Sequence, residues 1–270
     1  MSTRTLVSST TSNRPTKPRT AWRGWLVVAV VVALTVLAWN GVDGNIADII
    51  DNWRNGADKI SDLLAPDYWF FPDTVDPLLE TLHMAIIATA ISAAVSIPLI
   101  FLASRVSNPN GPVLLAVRSV MNVIRAIPDL MSAAVLVSVV GTGALPGIMA
   151  LILFNVGILV KLVSEALDAT DTGGLEAALA AGATRTKANR AALWPQIVPA
   201  YTAQTLYVLE LNVRASTVLG LVGAGGLGAL IDDVRNYYRY HQLSLIILEI
   251  LVVVVVIETT SGALRKRLTR

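Results

Sequence analysis

The sequence predicts an all-α membrane protein with about six transmembrane helices and both termini in the cytoplasm. Hydrophobic residues make up 54% of the 270 residues and charged residues only 15%, whereas soluble domains carry roughly 25% charged residues. The apolar residues gather in runs, and a run of about 20 residues is long enough to cross the hydrocarbon core as a helix. Basic residues concentrate in segments that would meet on one side of the membrane, which the positive-inside rule identifies as the cytoplasm.

Composition limits the chemistry that the chain can perform. The sequence contains no cysteine and two histidines, so it offers neither disulfides, nor thiolate metal sites, nor a histidine metal cluster. A net charge of +2 gives no reason to expect a nucleic-acid partner. We therefore expect no nucleic acid, no metal and no cofactor, and we expect a multi-pass protein of the inner (cytoplasmic) cell membrane.

The amino-terminal part contains three predicted segments. Residues 1–22 are basic and rich in Ser, Thr and Pro, which predicts a disordered cytoplasmic tail. The apolar residues 23–40 are expected to be a retained first transmembrane helix, because no small-residue cleavage site follows them. Residues 41–77 contain eight aspartates against one arginine and one lysine. This acidic segment is expected outside the cell with a short amphipathic helix, or alternatively as a solvated loop.

The remaining helices are predicted within a membrane-embedded core from residue 78 to residue 264. Pro98 is expected to kink the second helix, and Ile127-Pro128-Asp129 to interrupt the third. The polar residues 167–195 leave the membrane on the cytoplasmic side, and residues 265–270 form a basic cytoplasmic end. The predicted membrane helices of the core are approximately 78–103, 113–140, 147–166, 197–220 and 243–262.

The cytoplasmic residues 167–195 contain a motif with the properties of a docking element. It consists of Glu176, Ala177 and Ala178, followed by Gly182 and, thirteen residues later, by Pro195. The alanine-rich stretch favours a helix, and the glycine exposes backbone that another protein can approach closely. A short exposed helix between two membrane spans therefore indicates a binding surface; the alternative is an ordinary alanine-rich surface helix.

These residues resemble the EAA loop of ABC-importer permeases, although Ala192 and Trp194 replace the isoleucine and leucine usual before the final proline. Residues 210–228 are similar to the segment of phosphonate importer permeases that reads close to I-N-V-R-A-A-T-V-L-G-L-V-G-A-G-G-I-G. The resemblance extends over about 70–268. It implies the MetI-like permease fold and a homodimer working with two ABC ATPase subunits, an extracytoplasmic substrate-binding protein and a phosphonate or phosphate-like anion.

Four polar residues within or near the predicted spans are candidates for a translocation path: Arg125, Glu210, Asn212 and Arg214. A charge at the centre of the bilayer costs about 2.5–3.5 kcal/mol on insertion scales, so such side chains are expected to face a partner or a water-filled path. Guanidinium groups match the oxygens of a phosphorus oxyanion, which assigns the arginines to anion passage. Alternatively, Glu210 and Arg214 pair with each other, since residues four apart share one helix face.

The glycine-rich residues 220–228 are not expected to bind a nucleotide. No strand precedes them and no GK[ST] motif follows. Instead, Gly223, Gly225 and Gly226 are expected to break the fifth helix and form an outer gate. Because the chain offers no ATP site, ATP hydrolysis is expected in a separate partner ATPase.

Other interpretations remain open at this point. Within ABC importers, the sequence does not separate phosphonate from phosphate, phosphite or another small anion. A secondary transporter would need a coupling carboxylate, for which Glu210 and Glu249 are best placed. A membrane-embedded enzyme is disfavoured, because no constellation of nucleophile and base or of metal ligands appears.

Overall fold

The computed structural model describes residues 21–42 and 50–268, and throughout these residues the regular elements are helices. The prediction of an all-α protein is therefore confirmed. The chain divides into two units, residues 1–57 and 58–270. In the first unit, helix α1 (Ala21–Asn40) contains the apolar stretch Gly24–Trp39. The basic tail 1–22 lies almost entirely outside the described residues, as do Ile46 and Ile49 of the predicted amphipathic helix.

The other helices follow with short connections. A single 3-10 turn, Tyr68–Phe70, precedes α3, and π-helical turns at Asn189–Leu193 and Gly220–Ala224 flank α9. The helices are α2 (Trp53–Leu63), α3 (Phe71–Ala103), α4 (Gly111–Ala126), α5 (Asp129–Val140), α6 (Ala144–Asp168), α7 (Gly173–Ala180), α8 (Arg185–Ala188), α9 (Trp194–Leu219), α10 (Gly226–Asn236) and α11 (Tyr240–Leu268).

Four helical segments in the described part are long and apolar enough to cross a membrane. The helices α4 and α5 would supply a fifth crossing if they count together, but they meet at 85°. All six predicted membrane segments are helical. In the described residues, four of these helices are long and apolar enough to span a membrane without a break, and the bent pair would make a fifth. The four segments are Tyr68–Ala103, Ala144–Asp168, Arg185–Ala224 and Tyr240–Arg267.

Prolines and polar residues decide where the helices begin and break. Helix α3 begins at Phe71, whereas the apolar run predicted a start at residue 78. Asp73 lies in the first turn, where a negative charge is favourable for a helix but does not register as apolar. The helix runs on through Pro77 and Pro98. The interruption predicted before Asp129 is confirmed, since the residue preceding Pro128 is extended and α5 begins immediately after that proline.

The core of the second unit is built around α3 and α6, which pack more extensively on each other than any other pair, with α9 against both. Both helices bury several small side chains, which allow neighbouring helix backbones to approach closely. The close packing fixes α9, which carries three of the predicted path residues. The buried small residues are Ala85, Ala88, Ser92 and Ser96 on α3 and Gly147, Ala150, Gly157 and Ser164 on α6.

Candidate docking segment and translocation path

Helix α7 forms the centre of the docking segment, which we define as residues 167–195. Its Leu175 is buried in an apolar cluster with Leu193 and holds the helix against the rest of the protein. On the opposite side, Glu176 and Ala177 are exposed, and Ala178 is half-buried. The motif that the sequence identified is therefore a short helix with one anchored side and one exposed side.

The amino terminus of α7 is stabilised by two side-chain hydrogen bonds. The carboxylate of Asp171 accepts the N–H of Gly173 at 3.0 Å, and the hydroxyl of Thr172 donates to the Glu176 carboxylate at 2.8 Å. The Asp171 contact satisfies one of the amides that a helix start leaves without a partner. The hydrogen bond from Thr172 thereby orients the exposed carboxylate of Glu176.

Gly182 ends α7 in a left-handed conformation, with φ of +84°. Its N–H donates to the carbonyl of Leu179 at 2.9 Å, and the N–H of Ala183 donates to Ala178 at 3.0 Å, which is the Schellman arrangement of helix ends. A Cβ added at Gly182 would meet nothing within 4 Å. Within this chain, the glycine is therefore required by its backbone conformation, and the surface around it is open.

The docking segment is tied to the loop that follows α3. The Nε of Arg185 donates to the carbonyl of Ser107 at 3.0 Å, and a second guanidinium nitrogen donates to the carbonyl of Val106. Beyond the π-helical turn, the exposed Pro195 is the second residue of α9.

Asp168, the last residue of α6, lies within the docking segment and connects α6 to the end of α3 and to the middle of α4. Its carboxylate accepts hydrogen bonds from the hydroxyl of Ser104 at 2.6 Å and from the N–H of Arg105 at 2.8 Å, just beyond α3. It also pairs with the guanidinium of Arg118 on α4 at 2.7 Å. We call this group the Asp168 clasp.

Glu210 is bound to a different arginine from the one that its spacing suggests. Only 6% of its side chain is exposed, and its carboxylate lies 2.6 Å from the guanidinium of Arg265 on α11. Glu210 therefore pairs with Arg265 and not, as the i, i+4 spacing had suggested, with Arg214. The carboxylate of Glu210 points into the contact between α9 and α11, whereas Arg214 is exposed. Arg265, which the sequence predicts in the basic cytoplasmic end 265–270, thus forms an ion pair with a residue of α9.

The other path candidates divide into buried and exposed residues. Asn212 is buried, and its amide donates to the hydroxyl of Thr89 at 2.7 Å, fastening α9 to α3. Arg214 is exposed, and in the described part of the chain it makes no ion pair. Arg125, in the last turn of α4, is also exposed, and its stem covers Gly157, where an added Cβ would lie 2.7 Å from the Arg125 Cγ.

The glycines assigned to an outer gate lie at the break between α9 and α10. Gly223, Gly225 and Gly226 all have positive φ, at 91°, 80° and 66°. Added Cβ atoms at Gly225 and Gly226 would lie 2.8 Å from the Glu80 carboxylate and 2.5 Å from the Thr81 hydroxyl. The break is therefore possible only with glycine, both for its conformation and for its contact with α3.

Two side chains of α3 receive the first amides of α10. The carboxylate of Glu80 accepts the N–H of Gly226 at 3.0 Å, and the hydroxyl of Thr81 accepts the N–H of Leu227 at 2.8 Å. Glu80 was not singled out from the sequence. A helix that starts with glycine has no side chain of its own to accept the first amide hydrogens. The glycines themselves therefore indicate that a polar side chain of another helix must accept them.

Comparisons with known proteins agree with this architecture. Residues 96–270 match the family model "Binding-protein-dependent transport system inner membrane component". The chain is 35% identical over 246 residues to the phosphite transport system permease protein PtxC of Stutzerimonas stutzeri, covering 91% of this chain and 90% of that protein. It is 38% identical over 188 residues to the phosphate-import permease protein PhnE of Mycolicibacterium smegmatis, covering 70% of this chain but only 35% of that longer relative.

Among solved structures, the fold resembles a chain of the MetNI methionine ABC transporter in an inward-facing conformation. The TM-score is 0.65 at 22% sequence identity, and the match covers 76% of this chain and 100% of that one. The predicted MetI-like fold is therefore confirmed.

Proposed function

Because the chain belongs to the family of binding-protein-dependent transport system inner membrane components, we propose that it is the permease subunit of an ATP-driven importer for phosphonate-type oxyanions. The two relatives described above are named as permeases for phosphite and for phosphate. Phosphite, phosphate and phosphonates all present negatively charged oxygens on a tetrahedral phosphorus. One path chemistry therefore suits this whole class of anions.

Arg214 is the observation that carries the proposal. It is an exposed cation on a membrane helix, without an ion pair in the described residues, and such a charge is costly unless it faces water or a partner. The nearby carboxylate of Glu210 is already neutralised by Arg265 at 2.6 Å. The charge of Arg214 is thus available to an anion, and a second copy of the chain would contribute another.

The neighbouring residues support Arg214 in different ways. Arg125 is the second exposed arginine that we assign to the path, placed where α4 ends before its bend. Glu210 and Asn212 hold α9 against α11 and α3. Gly223 and the two glycines after the break are proposed as the outer gate. Two arginines per chain attract an anion without enclosing it, and transport requires binding weak enough for release.

Energy is proposed to enter through the exposed side of α7. Two ABC ATPase subunits would dock there on a dimer of this chain, and an extracytoplasmic substrate-binding protein would deliver the anion from the opposite face of the cytoplasmic membrane. The Asp168 clasp supports this assignment, since it ties the docking segment to the end of α3 and to the middle of α4. A movement of α7 would therefore reach the membrane helices directly.

The experiment is uptake of labelled phosphite, phosphate and methylphosphonate into proteoliposomes that contain the chain, its ATPase and its binding protein. Arg214→Gln should slow uptake about tenfold or more, the weight of one lost charge-assisted hydrogen bond. Arg214→Lys should retain an intermediate rate, because lysine keeps the charge without the bidentate geometry. The melting temperatures should not change.

Lys266→Gln is the matched control, because it removes an exposed positive charge from the end of α11. This variant should transport at the rate of the unmodified protein. Wild-type uptake by Arg214→Gln for all three anions would refute the assignment of Arg214 to the path.

A further inference from the structure

A groove of about 640 Å³ lies beside the docking segment, between the end of α3 and the start of α9. Its volume is typical of small-molecule sites, which measure roughly 300–1,000 Å³. One wall is apolar and consists of Ile97, Phe101 and Leu102 on α3 together with Trp194. The residues that line the groove therefore combine a membrane helix with the segment that follows α7.

The apolar wall of the groove is held in place by aromatic packing. The rings of Phe101 and Trp194 lie 6.1 Å apart, and those of Trp194 and Tyr201 lie 5.6 Å apart. The hydroxyl of Tyr201 donates to the carbonyl of Ala93 at 2.8 Å, which fixes the far end of this stack on α3. The groove is thus a built feature of the fold.

The opposite rim is basic and contains no acid. Arg185 and Arg190 both line the groove together with Thr186, and no aspartate or glutamate is among the lining residues. Arg185 uses two of its nitrogens on the Ser107 and Val106 carbonyls, which leaves further guanidinium donors. Arg190 is exposed and makes no ion pair within the described part of the chain.

The position of the groove decides which anion fits it. Ile97 and Leu102 belong to the last two turns of a membrane span that ends at Ala103, so the apolar wall lies at the edge of the hydrocarbon region. Trp194 is the first residue of α9, and tryptophan is enriched at the membrane–water interface. A free inorganic anion would use the arginines but leave the apolar wall without a partner.

We propose that this groove binds one anionic phospholipid from the predicted cytoplasmic leaflet. Its phosphate would lie between Arg185 and Arg190, and an acyl chain would cover Phe101 and Leu102. Basic pockets between membrane helices recognise lipid headgroups in this way. The site differs from the transport path, since its arginines are on the docking segment, whereas the path arginines are on α4 and α9.

The test is native mass spectrometry of the delipidated, full-length protein titrated with phosphatidylglycerol or phosphatidylcholine. The unmodified protein should prefer phosphatidylglycerol, and Arg190→Gln should lower that binding about tenfold. Lys187→Gln is the matched control, because Lys187 is an exposed cation on α8 that does not line the groove. Leu102→Trp should fill the apolar part and weaken phosphatidylglycerol binding without lowering the melting temperature.

Several results would overturn the proposal. Equal binding of the two lipids, or unchanged binding by Arg190→Gln, would remove the headgroup assignment. Displacement of the lipid by millimolar inorganic phosphate would indicate a site for free anions. A photocrosslinking residue at Thr186, which lines the groove and is exposed, should label lipid in native membranes. Labelling of a protein instead would make the groove a protein interface.

Discussion

Glu210 is a buried carboxylate whose charge the chain neutralises with its own Arg265. Removing one member of a buried ion pair leaves the other uncompensated, which costs about 3–5 kcal/mol when both are fully buried. Here the side chain of Arg265 is 31% exposed, so a smaller cost is expected. The pair therefore contributes to holding α9 and α11 together.

Glu210→Gln should lower the stability of the protein by about 2 kcal/mol, which corresponds to a decrease of roughly 4–8 °C in melting temperature. Arg265→Gln should have a similar effect, and the double variant should lose less than the sum of the two. Thermal unfolding of the four proteins in detergent measures this coupling.

The control is a second cycle that combines Glu210→Gln with Arg214→Gln. Because Arg214 is exposed and makes no ion pair with Glu210 in the described part of the chain, these two changes should be additive. Coupling in the second cycle and additivity in the first would restore the pairing that the sequence spacing suggested.

Single residues show how far the sequence alone could lead. The motif around Glu176 identified the docking segment, and the glycines identified the break after α9, because both signals are local. Arg265 could not be identified as the partner of Glu210, since the two residues are far apart in sequence and many charges compete. Gly182 was interpreted as a point of close approach, whereas its φ of +84° gives a conformational reason that a sequence does not display.

At the scale of the helices, the Asp168 clasp connects α6 with the end of α3 and the middle of α4. Asp168→Asn keeps the shape of the side chain but removes its charge from the pair with Arg118 at 2.7 Å. Both side chains are partly exposed, so the loss should be about 1–2 kcal/mol. ATP-driven uptake should decrease more than ATP hydrolysis does, because the helices would no longer follow the docking segment.

Glu165→Gln provides the control for Asp168→Asn. It lies on the same helix and breaks an exposed pair with Lys161 at i and i+4, a type worth roughly 0.3–0.5 kcal/mol. Its ratio of uptake to hydrolysis should not change. The same ratio in both variants would mean that the clasp has no role in coupling.

The apolar runs of the sequence predicted the positions of most helices. They did not predict the angles at which the helices meet or the residues at which they begin. Pro128 predicted the break between α4 and α5, since proline excludes helical backbone before it, but the 85° bend depends on what each half packs against. The early start of α3 was missed because its first turn is polar, which is normal at a helix amino terminus and invisible to hydropathy.

At the scale of the whole molecule, the positive-inside rule predicts residues 41–77 outside and residues 167–195 inside the cell. The sequence contains no cysteine, so single cysteines can be introduced without background. Ser61→Cys and Thr184→Cys, both at exposed positions, should react with a membrane-impermeant thiol reagent from opposite sides. Labelling from the same side would require a different topology.

We propose above that this chain imports a phosphorus oxyanion with energy from an ATPase docked on α7. The decisive measurement is ATP-dependent uptake by the reconstituted complex, with and without Glu176→Lys. This change reverses an exposed charge, so it should abolish uptake and ATPase co-purification. The melting temperature should fall only slightly, through the lost hydrogen bond with Thr172 and the cation in the first turn of α7. Uptake that persists in Glu176→Lys or without the ATPase, and that collapses with a protonophore, would contradict the account and indicate a secondary transporter.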